Sequence, residues 1–191
     1  MKIAWIDIES SGLDAEKNDV LSLSIIIDIN GKIEKTINLK MQPHSWDNID
    51  DKALEVNGFT REQIKTFDLP EIALEKLITI LSKYVNRYDK NDKLHLAGYN
   101  IKKFDIDFME QFFKKCGDDY FWSWFHSVKF DMYDGVQFFI LKGYFSDMEN
   151  IRLKDVAEEL GITIKAHDAQ SDVSATRDVC YKLLEKIKDN K

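Results

Sequence analysis

Residues 20–41 read VLSLSIIIDINGKIEKTINLKM, and the arrangement of the rest of the chain follows from them. Val20 to Asp28 is an aliphatic, β-branched run of strand length. Asn30-Gly31 then gives a strong hairpin-turn signal. Beyond the turn, Lys32 to Met41 alternates polar and apolar residues, the period of a strand covered on one face. Ahead of this pair, Ile3 to Ile8 is a further β-rich run, so the chain opens with three antiparallel strands.

From Asp51 the pattern turns helical, first in short pieces around ALEVNG and TREQI. Pro70 opens a longer helix whose face includes Ile72, Leu77, Ile80, Leu81 and Tyr84. Leu94 to Tyr99 reads as a fourth strand, and a helix follows from about Ile101 to Lys115. Val128 to Met132 is the fifth strand. Helices follow over Tyr133–Leu141 and Arg152–Leu160, the second stopped by Gly161. The last helix runs from about Asp168 to Lys188. This order predicts one α/β domain over residues 1–191. Its mixed sheet has three antiparallel strands extended by parallel crossover strands, with helices on its faces. The segment DDYFWSWF, residues 118–125, fits core, a homodimer contact or a base-stacking surface, with core favoured.

Apolar residues make up 44% of the 191 residues, enough for a sizeable core. Cys116 and Cys180 lack metal-ligand spacing and read as reduced core residues of a cytoplasmic protein. The N-terminus carries acid by position 7, unlike a signal peptide, and no apolar run reaches membrane-spanning length. The net charge of −7 argues against a protein that coats nucleic acid nonspecifically. It leaves room for an enzyme that holds a strand end through metal ions, where the protein supplies carboxylates and the cations meet the phosphate.

Acids stand at positions where burial is expected. Asp7 and Glu9, two apart, share one face of an otherwise apolar strand, and paired carboxylates suit hard divalent cations. On the helix after Tyr99, the stripe Ile101, Phe104, Phe108, Met109 and Phe112 includes position 105, an Asp, while Asp107 falls on the polar side. The last helix repeats the pattern. Its stripe of Ala169, Val173, Thr176, Val179, Cys180, Leu183, Leu184 and Ile187 includes Asp172 as its only charge. His167 lies one turn before Asp172 and is a candidate general base. Asp168 reads as an N-cap.

The ordered set Asp7-x-Glu9, Asp105, His167 and Asp172 resembles the DEDDh subtype of the DEDD exonuclease superfamily, the DnaQ-like proofreading exonucleases. WIDIESSGL resembles the first motif, AGYNIKKFDIDFM the second and HDAQSDVSAT the third. ALEVNGFTREQI and LKDVAEELGI resemble the segments between them. Tyr99 stands where a His often precedes the Asn, and Ser10-Ser11 replaces a Thr pair. The resemblance implies a ribonuclease-H-like fold and removal of nucleoside 5′-monophosphates from the 3′ end of DNA, with roles in repair or proofreading. It implies two Mg²⁺ or Mn²⁺ ions held by Asp7, Glu9, Asp105 and Asp172, with His167 as base. The backbone from Ser10 through Gly12 to Leu13, together with Asn100, would face the strand. The implied partner is the 3′ end of single-stranded DNA or RNA. An RNA trimmer or oligoribonuclease, and a non-catalytic polymerase-associated module, are the alternatives. The chain ends soon after its last helix, which favours a free-standing enzyme without a polymerase-gripping tail.

Overall fold

The computed structural model describes residues 1–145, 148–164 and 169–189. Strands β1 (Lys2–Ser10), β2 (Val20–Ile29) and β3 (Lys32–Lys40) form the expected antiparallel meander. Strands β4 (His95–Gly98) and β5 (Phe130–Asp131) add in parallel on the other side of β1, giving the order β3-β2-β1-β4-β5. Asn30 and Gly31 both take positive φ, 54° and 88°, the pair of left-handed residues that a two-residue turn needs to match strand twist. The Asp28 carboxylate accepts from the Gly31 N–H at 2.7 Å and fixes the turn.

Helices α1 (Asp51–Asn57), α2 (Arg61–Ile64) and α3 (Pro70–Leu81) follow the meander. The rest are α4 (Asp105–Lys115), α5 (Met132–Leu141), α6 (Leu153–Glu159) and α7 (Ala169–Asp189). Because side chains alternate along a strand, β1 feeds two cores. Ala4, Ile6 and Ile8 pack with Leu74 and Leu77 of α3 and Phe108 and Phe112 of α4. Trp5 packs on the opposite face with Val136, Val156, Val173 and Val179, from α5, α6 and α7. A central strand buried on both faces explains why Ile3 to Ile8 is apolar throughout.

One tie joins the last helix to the hairpin. Asp28 is fully buried and accepts from Arg177 Nε at 2.8 Å and from the Tyr181 hydroxyl at 3.0 Å. Arg177 also donates to the Gly31 carbonyl at 2.7 Å.

Several expectations need correction. The helix from Ile101 to Lys115 is two pieces, a 3-10 turn over Ile101–Lys103 and then α4. Asn100, in the left-handed region at φ 63°, enters this turn, and Phe104 at φ −143°, ψ −73° separates the pieces. The apolar stripe keeps its phase across the break, so periodicity cannot reveal it. The fifth strand is only two residues long. Helix α3 buries Pro70, Ala73, Leu74, Leu77 and Leu81, while Ile72 is 43% exposed. Leu184 and Ile187 near the end of α7 are also exposed, and Ala175 is buried in their stead. Both cysteines are only partly buried. In residues 118–125, Phe121, Trp124 and Phe125 are core, but Tyr120 and Trp122 face solvent.

Candidate active site

The odd-numbered residues of β1 point towards α7, and towards its carboxyl end these are Asp7 and Glu9. Across β2 they face Ser24 and Ser22, both buried. Directly opposed residues of an antiparallel pair share a face, so two small hydroxyls replace the aliphatic side chains found elsewhere on this strand. Ser24 donates to Asn38 of β3 at 2.9 Å, and the Asn38 amide donates to Gln170 at the start of α7 at 2.7 Å. A polar lane thus crosses the sheet beneath the start of α7. Its trace in the sequence is the pair of serines in VLSLSIIID.

Asp105 begins α4 and is buried. The Ile8 N–H donates to its Oδ1 at 3.2 Å, which brings it to the carboxyl end of β1. Asp107 is exposed. Asp172 sits in the first turn of α7, where the Thr176 hydroxyl donates to its backbone carbonyl at 2.9 Å.

These four carboxylates feel one another. Burial, above all, pushes the Asp7 carboxyl well above the usual range, and the charges of Asp105, Glu9 and Asp172 push it further. Burial raises Glu9 to about 7, with Asp172 and then Asp105 adding to it. Burial likewise raises Asp105 to about 7, against the pull of its backbone N–H donors and with a push from Asp131. Desolvation and like-charge repulsion both act against ionisation. A cation among these groups would reverse both effects, and oxygen donors of this kind suit hard divalent ions. The donor chemistry therefore fits a divalent metal. Among the described residues no three His, Cys, Asp or Glu groups are placed together around one ion position. His167 lies outside the described residues.

The loop after β1 is heavily tied. Ser10 is buried and its hydroxyl donates to the Gly12 carbonyl at 2.6 Å, so that side chain is occupied within the loop. A Cβ on Gly12 would come within 2.4 Å of the Asn18 side chain, which cannot swing away because it bonds both the Asp14 N–H and the Asn48 carbonyl. Leu13 is 85% exposed and lines an open cleft of about 430 Å³ with Asp107 and Glu110. Asn100 is also exposed.

Asp131, which sequence reasoning missed, organises the second motif. It is buried at the end of β5. Its carboxylate accepts from the N–H groups of Asn100 at 2.7 Å, Lys102 at 3.1 Å and Tyr133 at 3.0 Å. The left-handed turn leading to Asp105 thus hangs on one acid. Gly98 lets that turn close, since a Cβ there would lie 2.7 Å from the Ile6 carbonyl and 2.2 Å from Ile101.

A mixed five-stranded sheet of this order, flanked by helices, is a ribonuclease-H-like fold, with half-buried carboxylates at the end of its first strand. The family model described as "Exonuclease" (RNase T) matches residues 4–180, and the chain belongs to that family. It is a nuclease of the DnaQ-like superfamily. Among solved structures, exonuclease I from Methylocaldum szegediense superposes with TM-score 0.79 at 20% identity, covering 97% of this chain and 40% of the other. E. coli exonuclease I in complex with a dT13 oligonucleotide gives TM-score 0.79 at 19% identity, with 99% and 43% covered. The zinc-bound E. coli complex with single-stranded DNA gives 0.80 at 19%, with 98% and 41% covered. The chain therefore spans about two fifths of those proteins. No curated protein matches significantly.

Proposed function

We propose that this protein is a divalent-metal-dependent 3′→5′ exonuclease that releases nucleoside 5′-monophosphates from single-stranded DNA. The observation that carries the reading is the set of mutually repelling carboxylates at one end of the sheet, Asp105 buried and Asp7, Glu9 and Asp172 half-buried. Asp7, Glu9 and Asp172 would hold one Mg²⁺ or Mn²⁺ ion, and Asp7 with Asp105 a second. When bound, such ions offset the carboxylate charge, activate water and steady the leaving oxygen. An imidazole nitrogen of His167 takes the proton from the attacking water. Exposed Leu13 gives the terminal base an apolar surface, and the tied loop from Ser10 keeps the backbone there in place. DNA is preferred over RNA because the similar exonuclease I structures hold single-stranded DNA.

The test is cleavage of 5′-labelled single-stranded DNA, duplex DNA and RNA with Mg²⁺ and with EDTA. A ladder shortening from the 3′ end of single-stranded DNA, lost in EDTA, is expected. Faster cutting of RNA would replace the substrate assignment. Undiminished cutting in EDTA would overturn the mechanism.

A further inference from the structure

At the end of the sheet remote from the carboxylates, the aromatic segment and the loop after α3 form a ridge of a different character. Tyr88 is 91% exposed, Tyr120 67% and Trp122 36%. The Arg87 guanidinium lies 5.3 Å from the Tyr120 ring centre, 4.9 Å from that of Trp124 and 6.0 Å from that of Tyr88. Lys129 Nζ stands 4.9 Å from the Trp122 ring centre. Lys93 donates to the carbonyls of Trp122 and Ser123 and pins the backbone beneath the rings. Alongside runs an open hollow of about 490 Å³ lined in part by Lys2, Lys83, Arg87, Tyr88 and Trp124. The buried Trp124 indole N–H has no partner there.

The acids of this region are largely engaged. Asp92 pairs with Lys2, and Asp118 lies 4.0 Å from Arg87 and caps the Tyr120 N–H. Asp89 accepts from the Asn91 N–H, and Asp119 is an exposed acid at the rim. In a chain of net charge −7, cations interleaved with exposed rings here are a local exception. Rings offer base-sized stacking faces and cations offer phosphate contacts, the combination that binds single strands without reading sequence.

We propose that the Tyr88–Tyr120–Trp122 ridge, with Arg87 and Lys129, is a second binding surface for single-stranded nucleic acid, which holds the strand upstream of the end being trimmed. This rests on the reading of the protein as a single-strand exonuclease. At about 3.3 Å per residue along β1, the hollow at Lys2 and the acid at Glu9 stand roughly 20–25 Å apart. Only a strand several nucleotides long can therefore reach both. The surface is one of affinity for long substrates and takes no part in cleavage.

The test compares wild type, Trp122→Ala and Lys129→Glu, an exposed and a half-buried position that both lie outside the core. Binding of fluorescein-labelled oligothymidylates of about four and about twenty nucleotides is read by anisotropy, with Ca²⁺ in place of Mg²⁺ to slow cutting. For the long strand, Kd should weaken about ten-fold in Trp122→Ala, the loss of one or two stacked bases, and Lys129→Glu should also weaken it. The short strand should bind alike in all three. Unchanged long-strand Kd in both variants, or equal losses at both lengths, would overturn the proposal. So would wild-type self-association through the ridge, seen by sedimentation and lost in Trp122→Ala. Wild-type protein that binds the long strand as described but never cuts it with Mg²⁺ would sink the exonuclease reading and leave this surface standing.

Discussion

Asp105 and Asp107 are two residues apart and differ in everything that matters. The first is buried at the end of β1, bonded by the Ile8 N–H, and the second is exposed. Asp105→Ala should abolish cleavage, whereas Asp107→Ala should leave it largely intact. Equal losses in a single-turnover assay would contradict this placement. The raised carboxyls also set a pH dependence. Glu9 and Asp105 hold protons in the fold up to about 7, while in the unfolded chain they lose them near their ordinary 4.5 and 3.8. Across that window the folded state binds more protons, so stability of the metal-free protein should fall as pH rises from the ordinary carboxylate range through about 7, with raised Asp7 adding in the same direction. Melting curves from pH 4 to 8 in EDTA test the sign, and Asp105→Asn should flatten the slope. With saturating Mg²⁺ the carboxylates should leave this window, and the proposed role of His167 as base predicts that its removal takes away any acidic limb left in the cleavage rate. His167→Ala should then lose about 10²–10⁴-fold in turnover together with that limb. Asp105 was legible in the sequence because an acid interrupts an apolar stripe. Asp131 was not, because an acid beside a two-residue strand in an acidic chain has no pattern to violate. Its three bonds to backbone N–H groups appear only when Asn100 and Tyr133 are brought to it.

Among the elements, the meander was readable because strand period and turn chemistry agree at Asn30-Gly31. The break between Ile101 and Asp105 was hidden because Asn100 reverses the chain without disturbing the stripe. The same break makes the approach to α4 dependent on Asp131. Asp131→Ala would remove charge-assisted bonds from three part-buried N–H groups, a cost of about 1–3 kcal/mol, and should lower turnover through misplacement of Asp105. Urea unfolding and single-turnover rates should both register the change. Helix α7 hangs on a different tie. Removing one partner of a buried ion pair costs about 3–5 kcal/mol, and the Arg177–Asp28 pair is such a case, with side chains 13% and 0% exposed. Arg177→Ala should therefore destabilise the fold by about that amount, and Asp28→Asn combined with Arg177→Ala should recover part of it. A loss below about 0.5 kcal/mol in the single mutant, the usual range for a surface substitution, would show that the tie contributes little.

On the scale of the whole molecule, the carboxylates gather charge that a proton relieves at low pH and a cation relieves when they are ionised, so metal should stabilise the entire fold near and above neutrality. A native-state ligand at about 100 times its Kd adds about 2.7 kcal/mol, which for a domain of this size is about 5–10 °C in Tm. Identical melting in EDTA and in excess Mg²⁺ would argue against a metal site among these acids. The global fold class could be read because the order of strands and helices constrains a mixed sheet so tightly. The solvent-facing rings of Tyr120 and Trp122 could not, because an aromatic run broken only by Ser123 carries no period to divide inside from outside.

The carboxylate cluster takes Asp7 and Glu9 from the first strand, Asp105 from the middle of the chain and Asp172 from the last helix. During translation these arrive far apart in time. A nascent chain that has not yet emitted the segment carrying Asp172 lacks one of the four acids, and the second core still lacks Val173, Val179 and Leu183. On the proposed reading, a nascent chain at that stage could not yet hold both metal ions and should not cut nucleic acid. The carboxylate cluster is therefore a product of the tertiary fold, formed only when a strand and a helix distant in sequence are brought together.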